Sequence, residues 1–180
     1  MLLAGEAEAI GGSDGRFWVK DGNDKRLLAE PTQFNNQRNA VSRIGRFLAD
    51  CAETKPAAVG HRVVHGGPAL RQHCLIDDVV LQKLEAATAF APLHNPPALS
   101  VIRFAREHFP QLPQVACFDT AFHAGMEEVA RTLPIPHELR SEGVQRYGFH
   151  GLSCESIMRR LGKNRPERLI IAHMSNGVSV

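Results

Sequence analysis

VACFDTAFH at Val115–His123 and RYGFHGLS at Arg146–Ser153 mark the two ends of the stretch around which this chain is organised. Val115-Ala116-Cys117-Phe118 is a short apolar run of the kind that forms a buried parallel strand, and Asp119 follows it directly. A carboxylate there lands at the carboxyl end of the strand, the edge of an open α/β sheet where ligands bind. Asp119 is therefore the first candidate for chemistry. His150, set between aromatic residues and glycine, is the second. Each residue has a plainer alternative: Asp119 also suits the N-cap of a helix over Thr120–Arg131, and His150 suits a hydrogen-bonded core histidine.

Upstream, Ala57–His65 predicts a buried strand that carries His61, Arg62 and His65 into a Gly66-Gly67-Pro68 turn. Alternation puts Arg62 and Val64 on one face. An arginine on an apolar strand either meets an anion in a cleft or closes a buried ion pair. His61 and His65 have no third metal ligand of suitable type nearby, so no metal is assigned to them. Asp77–Ala91 carries Val80, Leu81, Leu84 and Ala87 at helical spacing, and Pro92-Leu93-His94-Asn95-Pro96-Pro97 breaks that pattern. His94 thus sits in a loop stiffened by proline on both sides, as a site residue or as a loop histidine bonded to backbone. Ala98–His108 predicts a further helix with Leu99, Ile102 and Ala105 inward.

Nearer the start, Gln37–Glu53 predicts a helix through Val41, Ile44, Phe47, Leu48 and Cys51, and Arg16–Lys20 with Lys25–Ala29 predicts a hairpin around Asp21-Gly22-Asn23-Asp24. Gly11–Gly15 is followed by a β-like run rather than a helix, so it reads as a turn and not as a phosphate loop. Downstream, Ser153–Leu161 predicts a short helix and Arg168–Ala172 a strand. His173-Met174-Ser175-Asn176-Gly177 follows as a turn. Its small and polar residues would let backbone N–H groups approach a phosphate, but on the residues alone a plain hairpin turn is the better reading.

At 180 residues and 43% hydrophobic, the chain can bury one sizeable core, which the length suggests is a single domain. Twenty-one basic and nineteen acidic residues are spread evenly for a net charge of +2, so no basic stripe points to nucleic acid or to an anionic membrane. No apolar run reaches the ~20 residues of a membrane span, and a cytoplasmic location is expected. Cys51, Cys74, Cys117 and Cys154 form no CxxC pair and are expected to be buried free thiols.

Five motifs in order, GHRVVHGG at Gly60–Gly67, APLHNP at Ala91–Pro96, FDTAFH at Phe118–His123, YGFHG at Tyr147–Gly151 and AHMSNGVSV at Ala172–Val180, resemble acetate kinases. The resemblance implies an α/β domain of the actin-like, ribonuclease H-like ATPase class, with a mixed sheet flanked by helices. Such enzymes are about twice as long, so the chain is expected to be an N-terminal-type domain without the first strands, the phosphate loop and the second lobe. The implied reaction is in-line transfer of a phosphoryl group from ATP to acetate or another short carboxylate, with Mg²⁺. Carried over by motif, Arg62 would bind the carboxylate or the phosphoryl group, and Val64, Leu93 and Phe149 would line a pocket for the methyl group. Asp119, His150 and His94 would be the catalytic residues, with Asp119 aligning groups around acetate and His150 stabilising charge on the phosphoryl group. His173, Met174, Ser175, Asn176 and Gly177 would contact the ATP phosphates. Metal ligands are expected outside this chain, a homodimer is expected for the complete protein, and the isolated chain is expected to be inactive. Two positions depart from the family pattern: Cys154 where a histidine is usual, and Ser175 where a glycine is usual. A non-catalytic interaction domain and a phosphohydrolase are the alternatives on the same fold.

Overall fold

The structure, a computed structural model, describes residues 2–51, 55–174 and 178–179. The chain divides into two compact units: Met1–Val59 with Leu99–Pro113, and Gly60–Ala98 with Gln114–Val180.

The first unit is built on an antiparallel sheet of β1 (Leu3–Glu8), β2 (Arg16–Asp21) and β3 (Arg26–Pro31), in that order. The β2–β3 hairpin forms as expected, and its turn has a specific cause. The Asp21 carboxylate accepts from the amides of Asn23 (2.8 Å) and Lys25 (3.0 Å), while Asp24 takes a left-handed conformation. Alternation along β2 buries Phe17 and Val19, which pack with Phe34 and Ala40. The Phe17 ring meets Phe34 and Phe47 edge-on, and the Arg43 guanidinium lies over its face while binding Glu30 at 2.7 Å. Helix α1 (Gln37–Asp50) starts where Asn36 caps the Asn39 amide and buries Ala40, Val41 and Gly45. Its inward face is therefore one step from the expected one, and Ile44 is exposed.

The second unit holds the strands that matter for the site. β4 (Val59–Val63), β6 (Gln114–Phe118) and β5 (Cys74–Leu75) form a sheet in the order β4-β6-β5. The Val59 amide donates to Pro113 O at the start of this pairing and the Asp119 amide donates to Val63 O at its end, so β4 and β6 run parallel. β5 pairs with β6 antiparallel, which makes the sheet mixed. The expected central strand is thus present, with Gln114, Ala116 and Phe118 buried on one side of it.

Helix α2 (Asp78–Ala86) starts at Asp77, whose carboxylate accepts the Val80 amide at 2.7 Å, and continues as one 3₁₀ turn over Ala87–Phe90. Helix α3 (Asn95–His108) begins three residues before the expected position. Pro96 and Pro97 lie in its first turn, where a missing N–H costs no intrahelical bond. His94 consequently precedes the helix directly, and Leu99, Ile102 and Ala105 are buried as expected.

Three expectations are corrected. The single helix over Thr120–Arg131 does not form: a 3₁₀ turn at Phe122–Gly125 and a short α4 (Glu128–Arg131) are separated by Met126, whose backbone is extended. Such short pieces cannot nucleate on their own, and Gly125 interrupts them further. Arg168–Ala172 is not a strand; Ile170 is 83% exposed, and without a neighbour to pair with an apolar run has nothing to hold it extended. Instead β7 (His173–Met174) pairs antiparallel with β8 (Val178–Ser179). None of the four cysteines is in a disulfide, but Cys154 alone is buried, and burial still pushes the half-buried Cys74 and Cys117 thiols up. The remaining helices are α5 (His137–Ser141) and α6 (Gly151–Leu161).

Candidate functional site

Because β4 and β6 are parallel and in register, both deliver their next residues to one edge of the sheet. At that edge the Arg62 guanidinium closes on the Asp119 carboxylate: Nε lies 3.2 and 3.1 Å from the two oxygens, and Nη2 lies 2.6 Å from Oδ2. The pair is asymmetric in its exposure. The Asp119 side chain is 3% exposed and that of Arg62 is 62% exposed. A buried carboxylate thus holds one side of a guanidinium fork whose remaining donors face solvent, and the bond to Asp119 raises the Arg62 pKa further above its ordinary value. The carboxylate is therefore not spent on capping a helix, the plainer of its two alternatives. Arg62 combines both of its own, an ion pair at its root and an open cationic face.

His150 is brought to the same edge by backbone. The Gly151 amide donates to Asp119 O at 2.8 Å, so α6 begins against the end of β6. A Cβ at Gly151 would collide with that carbonyl, which is why only glycine permits the approach. His150 itself has φ of 56°, in the left-handed region, as the residue that turns the chain into α6. Its ring stacks on His173, with centroids 4.2 Å apart and planes 17° from parallel. Of the other residues expected on the phosphate side, Met174 is 78% exposed, and Ser175, Asn176 and Gly177 lie outside the described residues.

The expected methyl pocket is present only in part. Val64 is half-buried, Phe149 is 38% exposed and Leu93 is 82% exposed, so Leu93 lines no enclosed space. His94 is exposed beside it, its amide bonded to Ala91 O.

What ties these loops together is a set of residues that the sequence reading passed over. Asn95 is buried, and its amide group donates to His65 O (2.9 Å) and Ala87 O (3.2 Å), joining the His94 loop to the loop after β4. Its Oδ1 has no hydrogen-bond partner among the described residues. His65 is enclosed by Phe90, Tyr147 and Phe149, with ring centroids at 4.9, 4.4 and 5.7 Å, and its Nδ1 accepts the Gly67 amide. Burial lowers the pKa of His65, and that of His61, which bonds Gln114 across the sheet at 2.6 Å. His61 and His65 therefore each have a separate protein partner. His123 braces the last loop through Nε2 and Phe149 O (3.0 Å), with Gly148 against its ring. Asn95 stands inside the APLHNP motif and His65 inside GHRVVHGG; those were the signals available.

The match to known proteins runs through most of this chain. The profile of the acetokinase family matches residues 1–180. An acetate kinase of Nitrobacter hamburgensis is 48% identical over 145 residues, covering 78% of this chain and 36% of that protein. One from Shewanella baltica is 41% identical over 187 residues, covering 99% of this chain and 47% of that protein. A crystal structure of a propionate kinase from Francisella tularensis superposes with a TM-score of 0.87 at 34% identity, over 98% of this chain and 47% of that one. The chain thus spans less than half the length of these relatives. With a family profile matched from end to end and the Arg62–Asp119 pair standing where two of its motifs meet, the chain belongs to the acetokinase family.

Proposed function

We propose that this chain supplies the carboxylate-binding side of an acetate kinase active site, for transfer of the ATP γ-phosphoryl group to acetate or another short carboxylate. The observation that carries the proposal is the Arg62 fork, fixed by a buried carboxylate and open on its other side, beside the His150 that enters α6. Both reactants are anions, so the first requirement is cationic cover that holds them in line. The solvent-facing donors of Arg62 meet a carboxylate or phosphoryl oxygen in a planar, two-pronged geometry. With both Asp119 oxygens engaged by Arg62, Asp119 serves as the residue that aims the guanidinium. An acetate ion has no proton for it to remove.

His150 donates to charge that builds on the phosphoryl group, and its stacking partner His173 leads into the segment that would meet the ATP phosphates. His94 adds a further donor from the start of α3. Val64, Leu93 and Phe149 meet the methyl end of the acid once it is bound. Mg²⁺ does not fit what is present: among the described residues no three carboxylate, imidazole or thiol groups converge on a point, and Asp119 is taken by Arg62. We place the metal's ligands outside this chain. The same reading makes the chain one N-terminal-type domain of a cytoplasmic homodimer, and makes the 180-residue chain inactive by itself.

Two measurements test the proposal. Titration with acetate followed by NMR should perturb Arg62, Asp119 and His150 together in the 180-residue chain, and Arg62→Ala should abolish the response. With the first strands, phosphate loop and C-terminal half of an acetate kinase relative supplied around it, the chain should release ADP from ATP in the presence of acetate, propionate or butyrate. An acetate response that survives Arg62→Ala, or a correctly folded fusion without turnover on any of the three acids, refutes it.

A further inference from the structure

Arg71, Arg131 and Arg146 come from three separate segments and line one small cavity of about 20 Å³ together with Thr120, His123 and Tyr147. An open groove of about 670 Å³ adjoins it, sharing Leu70, Arg71, Ala124 and Arg131. Neither lining contains an aspartate or glutamate. Two of the arginines are anchored by neutral acceptors: Arg71 Nη2 donates to Ala124 O at 2.7 Å, and Arg146 Nη1 to Ala130 O at 2.9 Å. Those bonds fix the guanidinium groups without cancelling their charge. Arg131 is half-buried and has no carboxylate partner among the described residues.

Three arginines line one space that holds no carboxylate, and an anion bound among them offsets the repulsion of their like charges. We propose that this is a binding site for a small multivalent oxyanion, separate from the Arg62 edge, that takes phosphate-type or polycarboxylate ligands in the groove with the Arg131 guanidinium as its centre. The inner cavity is too small for more than a water-sized group, so the ligand lies in the groove and reaches inward with one oxygen. The arginines that would hold it also pin residues 124 and 130, and His123 in the same lining bonds Phe149 O. Occupancy of the groove therefore bears on the loop that carries Phe149 and His150.

The test is titration of the 180-residue chain with pyrophosphate, and separately with tricarballylate, at constant ionic strength, read by NMR at Ala124, Gly125 and Arg131. At least one anion should give saturable shifts at these residues, and Arg131→Gln should weaken that binding by roughly tenfold or more. Arg131 makes no side-chain hydrogen bond among the described residues, so this variant should keep the wild-type circular dichroism spectrum and melting curve. Saturation by pyrophosphate alone identifies a phosphate site, and by tricarballylate alone a carboxylate site. The proposal is overturned by shifts confined to Arg62 and Asp119, by equal shifts with chloride, by unchanged affinity in the folded Arg131→Gln variant, or by no saturation with either anion.

Discussion

Arg62→Ala should damage the fold more than substitution of the buried residue it contacts. An exposed ion pair is worth up to about 1 kcal/mol, whereas removing one member of a buried pair costs about 3–5 kcal/mol because a charge is stranded away from water. Here the two members differ: Asp119 is 3% exposed and Arg62 62% exposed. Arg62→Ala strands the buried carboxylate, with three hydrogen bonds lost, and an intermediate cost of about 2–3 kcal/mol follows. Asp119→Asn leaves a solvated arginine and a neutral buried amide, for about 1–2 kcal/mol. The double variant has no stranded charge and should fall short of additivity by about 1 kcal/mol or more. Urea denaturation of the four proteins, with unchanged m-values, measures all three quantities. If Arg62→Ala costs no more than Asp119→Asn, or if the two costs simply add, the pair does not hold this edge of the sheet together.

Asn95→Ala removes the donors of two buried carbonyl groups, on His65 and Ala87, and should destabilise by roughly 2–4 kcal/mol in the same assay. Its acetate response should weaken along with its stability, since the His94 loop and the loop after β4 lose their tie. Stability should also fall on acidification. The buried His61 and His65 have folded-state pKa values below the ordinary 6.5, so the unfolded chain binds the extra protons. Stability is then full above pH 6.5 and declines below it by up to about 1.4 kcal/mol per pH unit for each histidine, until the folded pKa is passed. His65→Phe, which keeps an aromatic ring among Phe90, Tyr147 and Phe149, should make that slope shallower; an unchanged slope would locate the effect elsewhere.

The elements that carry a strong local signal were legible in the sequence. Val115–Phe118 is apolar enough to be a strand wherever it packs, and Asp21-Gly22-Asn23-Asp24 encodes its turn through one carboxylate. The candidate site was readable as a set of residue types, through motifs whose order along the chain resembles that of acetate kinases. Their pairing was not. Whether Asp119 caps a helix or binds Arg62 depends on the register of β4 against β6, and nothing local to either strand states that register. The segment after Thr120 misled for the related reason that helical spacing says nothing of length: α4 spans four residues, and its neighbourhood is held by Arg71 and Arg146 from elsewhere in the sequence. At Arg168–Ala172 the run was apolar, but a strand exists only as one half of a pair.

The left-handed backbone of His150 sets the direction in which this position can drift. A non-glycine residue in that region gives up about 1 kcal/mol or more that glycine would keep, so random substitution selected for thermal tolerance alone should enrich glycine at 150. Every such gain would delete the imidazole that stacks on His173. Stability screening and selection for chemistry thus pull in opposite directions at this residue, and a library built from this chain would reveal which pressure was applied simply by which amino acid it retains there.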